Sequence, residues 1–226
     1  MPRRTARSAP TRPSAAGAPR LSRDRIVATA VALADREGVA AVSMRRLGQE
    51  LGVDPMSLYH HVEDKEVLID AMVDQVVAEI PRAERAGSWA DALRATVLAA
   101  RATLLRHPWA ARVIATRPAP TPAALRHIDT VLDILRGGGF SLDLCHHALH
   151  VLGSRVLGFS QDLFDDSAAA DAPPPPPEWA AHLPRVAELA AAARHDGALG
   201  GCDDEAEFAF GLDLILDGLE RRRTGR

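Results

Sequence analysis

The sequence predicts an all-α fold, and three observations carry that expectation. Aromatic residues make up only 4% of the chain against a hydrophobic share of 47%, and Ala, Leu and Val fill most apolar positions, a composition suited to helices rather than sheets. Apolar residues recur at three- and four-residue steps in one segment after another, with no strand-like alternation of useful length. Between these segments stand glycines, prolines and short polar residues at the positions where helix caps belong.

The first 20 residues, MPRRTARSAPTRPSAAGAPR, join arginines to Pro, Ser and Ala without an apolar centre. They cannot bury enough surface to offset ordering, so a disordered arm is expected over 1–20, with neither a signal peptide nor a membrane span. From Leu21 onward, Ile26, Ala30, Leu33, Ala34 and Glu37 mark a first helix, with Ser22 as its N-cap and Gly38 as its stop. A second runs from Ser43 to Gly52, with Leu47 and Leu51 on one face and Gly48 where a neighbour can approach closely. Asp54 and Pro55 open a third, as cap and first helical residue, with Leu58 and Val62 facing inward. A fourth spans 64–80 and stops before Pro81.

The polar break at 81–87 marks the expected boundary between a front module, 21–80, and a body, 81–226. Body helices are expected over 88–106, 109–115, 122–136, 141 to about 163, 179–195 and 205–222. The stretch DDSAAADAPPPPPE is of low complexity and predicts a mobile loop at about 165–178. Gly137 to Gly139 have no following Lys and Ser, so they read as a helix stop rather than a phosphate cradle. The terminal ERRRTGR complements the dipole of the last helix.

A net charge of −3 conceals an asymmetry. Up to Lys65 the chain holds 10 Arg and 1 Lys against 7 carboxylates, while the rest holds 16 Arg against 23. A basic front on an acidic body is expected where only the front meets a polyanion. Cys145 and Cys202 form no CxxC pair and no disulfide framework, which predicts a cytoplasmic protein.

Two helices joined by a glycine turn within about twenty residues have the layout of a helix-turn-helix, whose second helix enters the DNA major groove. With Leu47, Leu51, Val53, Leu58 and Val62 forming its small core, the unit displays Pro55, Met56, Ser57, Tyr59, His60 and His61. Tyr59 can donate to phosphate, Ser57 can reach phosphate or base edges, and Pro55 and Met56 suit thymine methyls. Arg45 is placed for a bidentate guanine contact, and Lys65, the only lysine, for a phosphate. The plainer alternative is a solvated helical face with Tyr59 half-buried in the core.

The segment LSRDRIVATAVALADREGVAAVSMRRLGQELGVDPMSLYHHVEDKEVLIDAM resembles the N-terminal domain of the TetR (tetracycline repressor) family, most specifically through LGV and LYHHVEDKEVL. The likeness continues in SW at 88–89, LLRH at 104–107, TRP at 116–118, GFSL at 139–142 and FGLDLILDGLE at 210–220. It implies a three-helix DNA-binding domain joined by a linking helix to an all-helical effector-binding and dimerisation domain. The function implied is that of a homodimeric repressor released from a palindromic operator by a small-molecule effector, with no cofactor. It also implies DNA contacts at Arg45, Pro55, Met56, Ser57, Tyr59, His60, His61 and Lys65, and a dimer interface on the helices at 141–163 and 205–222. The apolar run FAFGLDLILDGL agrees, because one small domain would struggle to cover it.

The chain departs from the tetracycline repressors where they hold drug and magnesium. The metal-binding histidine falls on Val113 or Ile114, the drug-contacting asparagine on Thr96, and the histidine ending the fourth helix on Pro81. Thr116, Arg117 and Pro118 are kept, and Asp162 falls at the outer metal carboxylate. The expected effector contacts are Thr96, Val113, Thr116, Arg117, Pro118, Val131, His147, His150 and Ser154, in a pocket without metal. His146 and His150 in CHHALH sit four apart, as metal ligands can, yet no acidic or cysteine partner stands at fixed spacing. A regulator without an effector and an enzyme using Cys145, His147 or His150 are the alternatives, the latter lacking a nucleophile with an orienting partner.

Overall fold

The computed structural model describes residues 20–82, 87–158, 182–192 and 204–225. Short polar side chains accept from the first free amides of the early helices. Ser22 does so at α1 (Arg23–Glu37), Ser43 at α2 (Met44–Leu51), Asp54 at α3 (Pro55–Leu58) and Asp64 at α4 (Lys65–Ala78). Ser88 and Asp91 form a reciprocal capping box at α5 (Trp89–Arg106). There follow α6 (Pro108–Thr116), α7 (Pro122–Gly137), capped by Thr121, α8 (Leu142–Gly158), α9 (Pro184–Ala192) and α10 (Asp204–Thr224). Among the described residues there is no strand, and the fold is all-α. The arm at 1–19, Asp162, the proline-rich stretch and Cys202 lie outside the described residues, and the expected helix over 179–195 is described only as α9.

Two glycines set the corners of the front module. Gly52 ends α2 at φ 68° and ψ 34°, the left-handed geometry that costs L-residues most. At Gly48 a Cβ would stand 2.9 Å from the Val53 carbonyl oxygen and 3.0 Å from Pro55 Cγ, so α3 can lie on α2 only over a bare backbone. Glu37, expected on the apolar repeat of α1, is exposed instead and pairs with Arg46 at 2.9 Å. It follows Ala34 by three residues but sits in the last turn, beyond the reach of the core.

The apolar residues gather into two cores. The first joins α1 to α4 through Ile26, Leu33, Leu47, Leu58, Leu68 and Met72, and it also takes in Trp109 and Ala110 of α6 and Ala123 of α7. The second joins α5, α7, α8 and α10 through Leu93, Val97, Leu135, Ala148, Phe208 and Leu212. The body therefore reaches into the front core, so α4 is held on both sides. On α10, Phe208, Leu212, Leu216 and Leu219 point inward while Phe210 and Leu214 remain exposed. The guanidinium groups of Arg101 and Arg155 cover the Phe208 ring at 4.7 and 4.9 Å.

Candidate nucleic-acid interface and ligand cavity

Leu47, Leu51, Leu58 and Val62 are all buried, which fixes the orientation of the two-helix unit and leaves its other face outside. Arg45, Met56, Tyr59, His60, His61 and Lys65 are exposed there, and Pro55 and Ser57 are partly so. Met56 is 68% exposed and Tyr59 44%. An apolar and an aromatic side chain left this far exposed on so small a unit suit a contact surface. The reading helix is shorter than the sequence suggests. It ends at Leu58, whose carbonyl accepts from the amides of both His61 and Val62 at 2.9 and 3.0 Å. The chain turns because Val62 is pinned in the core and Asp64 begins capping α4 two residues later.

Charge pairing separates two neighbouring arginines. Arg46 is held by Glu37 and Glu50, each at 2.9 Å. Arg45 and Lys65, by contrast, pair with no carboxylate among the described residues. Their charges are available to phosphate or to a guanine edge.

Behind this unit, α4, α5, α6, α7 and α8 border a partly open cavity of about 400 Å³, with His146 and His150 exposed at its edge. Its walls include Val77, Ile80, Val97, Leu104, Ile114, Ile128, Val131, Leu149 and Val156, and its polar side chains are His127, His146 and His150. Val131 and His150 thus stand where an effector contact was expected. Thr96 lines a smaller adjoining cavity of about 160 Å³ that shares Val77, Ile80 and His127. The other expected contacts lie elsewhere. Val113 packs against the first core, Thr116 is exposed and hydrogen-bonds to carbonyls of its own helix, and Pro118 is exposed. His147 is exposed beside Asp143 at 3.8 Å, and exposed Ser154 donates to the His150 carbonyl at 2.8 Å. Arg117 is 14% exposed and bound to Glu66 and Asp70 of α4, each at 2.6 Å, with the Glu66 hydrogen bond raising its pKa. It fastens α4 to the end of α6.

His127 was not anticipated, although its four-residue spacing from Val131 puts the two on one helical face. Burial pushes its imidazole below the ordinary 6.5, so it is neutral at pH 7 with one donor and one acceptor nitrogen. The His146 and His150 rings meet edge to face with centroids 4.6 Å apart. Cys145 is fully buried and its thiol is pushed up by that burial, the reverse of an activated nucleophile. No group of three or more metal-ligating side chains suited to an ion occurs among the described residues.

A second missed residue is His107. Its Nδ1 lies 2.9 Å from Asp35 Oδ1 and its Nε2 3.1 Å from Glu79 Oε2, while Trp109 Nε1 donates to the same Asp35 oxygen at 2.7 Å. This buried residue ties α1 to the end of α4 and to the corner between α5 and α6. Nothing in helical periodicity marks it, because its partners come from distant segments.

Family models agree with this architecture. Residues 26–72 match "Bacterial regulatory proteins, tetR family", and residues 80–223 match "Tetracyclin repressor-like, C-terminal domain". The chain is 34% identical over 218 residues to the HTH-type transcriptional repressor DrrR1 of Streptomyces coeruleorubidus, covering 92% of this chain and 81% of that one. It is 29% identical over 211 residues to the class D tetracycline repressor protein of Escherichia coli, covering 91% and 92%. The crystal structure of ActR from Streptomyces coelicolor in complex with actinorhodin superposes with a TM-score of 0.68 at 29% identity, covering 90% of this chain and 99% of that one. The front match falls on the helices that display Arg45 and Tyr59, and the second spans the helices around the cavity: the chain belongs to the TetR family of bacterial regulatory proteins.

Proposed function

We propose that the chain is a homodimeric, cytoplasmic transcriptional repressor that leaves a palindromic operator when a small molecule enters the cavity behind α4. The observation that carries this reading is the position of α4. Its N-terminal end bears Lys65 and packs, through Leu68 and Met72, on the core of the reading unit; its C-terminal end supplies Val77 to the cavity wall. A molecule in the cavity therefore bears on the helix that carries Lys65 and backs the unit holding the other DNA contacts. Arg45, Pro55, Met56, Ser57, Tyr59, His60, His61 and Lys65 are assigned to DNA, with residues 21–80 as the reading domain and 81–226 as the effector and dimer domain.

Two reading units must lie about one turn of DNA apart, ~34–36 Å, to occupy both half-sites. The effector acts through its differential affinity for states that satisfy or miss that spacing. The Arg117 and His107 bridges are the links through which movement of α4 is shared with α1 and α6. The partner subunit is assigned to the outer faces of α8 and α10, where Leu142, Val151, Phe210 and Leu214 stand exposed. Genomic fragments selected on the purified protein test the reading. Enrichment of one inverted repeat, released by an effector, is expected; recovery in proportion to abundance would overturn it.

A further inference from the structure

We propose that the effector cavity takes an uncharged, mostly apolar ring compound carrying phenolic hydroxyl groups, which His127, His146 and His150 read by hydrogen bonds. The inference rests on the effector reading above and specifies its ligand. The chemistry of the lining excludes the alternatives in turn. Among the described residues no Asp, Glu, Lys or Arg lines the main cavity, so against these walls a carboxylate, a sulfonate or an ammonium group meets no counter-charge, which is costly in an apolar site. The arginines nearby, Arg82 and Arg126, belong to the smaller cavity, and Arg126 already faces Asp74 at 4.0 Å.

The polar side chains that remain are imidazoles. His127 stands on α7, and His146 and His150 stand one turn apart on α8. The burial that keeps His127 neutral lets it both accept from and donate to oxygen. A phenol donates and accepts in the same way. His146 and His150 already form an edge-to-face pair at 4.6 Å, and an aromatic ring extends that arrangement with the geometry such rings prefer. Half of the remaining lining residues are Val or Ile, whose first side-chain torsion is stiff. Walls of this kind adapt poorly to a coiling acyl chain and favour a rigid ring, which also loses less freedom on binding. A cavity of about 400 Å³ is in the range that encloses a drug-sized molecule.

Three anthraquinones of one skeleton separate the elements of the proposal: a dihydroxyanthraquinone, the unsubstituted parent, and the sulfonate of the dihydroxy compound. Each is titrated into the full-length protein by tryptophan fluorescence and calorimetry, with operator release followed in parallel. Binding of the dihydroxy compound is expected, with the parent weaker by on the order of tenfold for each hydrogen bond lost and the sulfonate without measurable binding. His127→Phe and His150→Phe should lower affinity for the dihydroxy compound while leaving that for the parent unchanged, a change of preference that mere loosening of the fold does not produce. Val131→Trp, which fills the cavity, should remove both. Sulfonate binding equal to that of the dihydroxy compound, equal affinity for parent and dihydroxy compound, or no binding by any of the three would overturn the proposal. Operator binding by the wild type in the same samples keeps the regulator reading separate: it stands if DNA is bound while the ligand pattern fails. Expected ligand binding without DNA release would instead remove the effector role and keep the ligand class.

Discussion

Arg45 and Arg46 are adjacent in sequence and have opposite environments. Arg46 is tied to Glu37 and Glu50, while Arg45 faces outward unpaired. Arg45→Ala should therefore weaken operator binding by about 1–3 kcal/mol and leave the thermal midpoint unchanged, as anisotropy and calorimetry on one preparation will show. His127 supplies a pH dependence. Its folded pKa is depressed, so the unfolded chain binds the extra proton first and the fold loses stability as pH falls below about 6.5. Thermal midpoints measured from about pH 7.5 to about pH 5.5 should fall less steeply in His127→Phe than in the wild type. Side-chain periodicity revealed the exposed face carrying Tyr59 and Met56, because Leu58 and Val62 fix its orientation. It did not reveal His107 or the Arg117 bridge, whose partners lie 28 to 72 residues away in sequence.

Among the elements, the first four helices were legible because each has a cap and a stop written locally: Ser22 and Gly38, Ser43 and Gly52, Asp54 with Pro55, and Asp64. The length of α3 was not, since the turn after Leu58 is imposed by tertiary anchoring of Val62. The cavity was legible only in part for the same reason. Val131 and His150 line it, but Thr116, Arg117 and Pro118, carried over by likeness to a site whose polar set this chain lacks, do not. Packing of α3 on α2 makes Gly48 the most demanding position of the reading unit. Gly48→Ala should cost about 1–3 kcal/mol by overpacking, since a Cβ there meets the Val53 backbone at 2.9 Å rather than a movable side chain. Denaturant unfolding checks this, and Gly137→Ala, with nothing within 4 Å of its added carbon, is the control.

For the whole molecule, the arrangement links a cavity in the body to a reading surface in front through one helix held by two bridges. His107→Phe removes the contacts with Asp35 and Glu79 while filling similar space. It should reduce the ligand-induced loss of DNA affinity more than it reduces either affinity alone, a coupling difference measurable by titrating DNA with and without ligand. Phe210→Glu with Leu214→Glu should yield monomers in sedimentation and weaken operator binding, since both half-sites are then no longer held together. The most direct single measurement is fluorescence anisotropy of duplexes from the chain's own upstream region, titrated across a salt series with wild type and Tyr59→Ala side by side. Tight binding by the wild type that weakens steeply with salt and is lost in the variant is the expected result. Equal, weak binding of both proteins to every duplex, including fragments selected from the whole genome, would contradict a DNA-reading role for this surface.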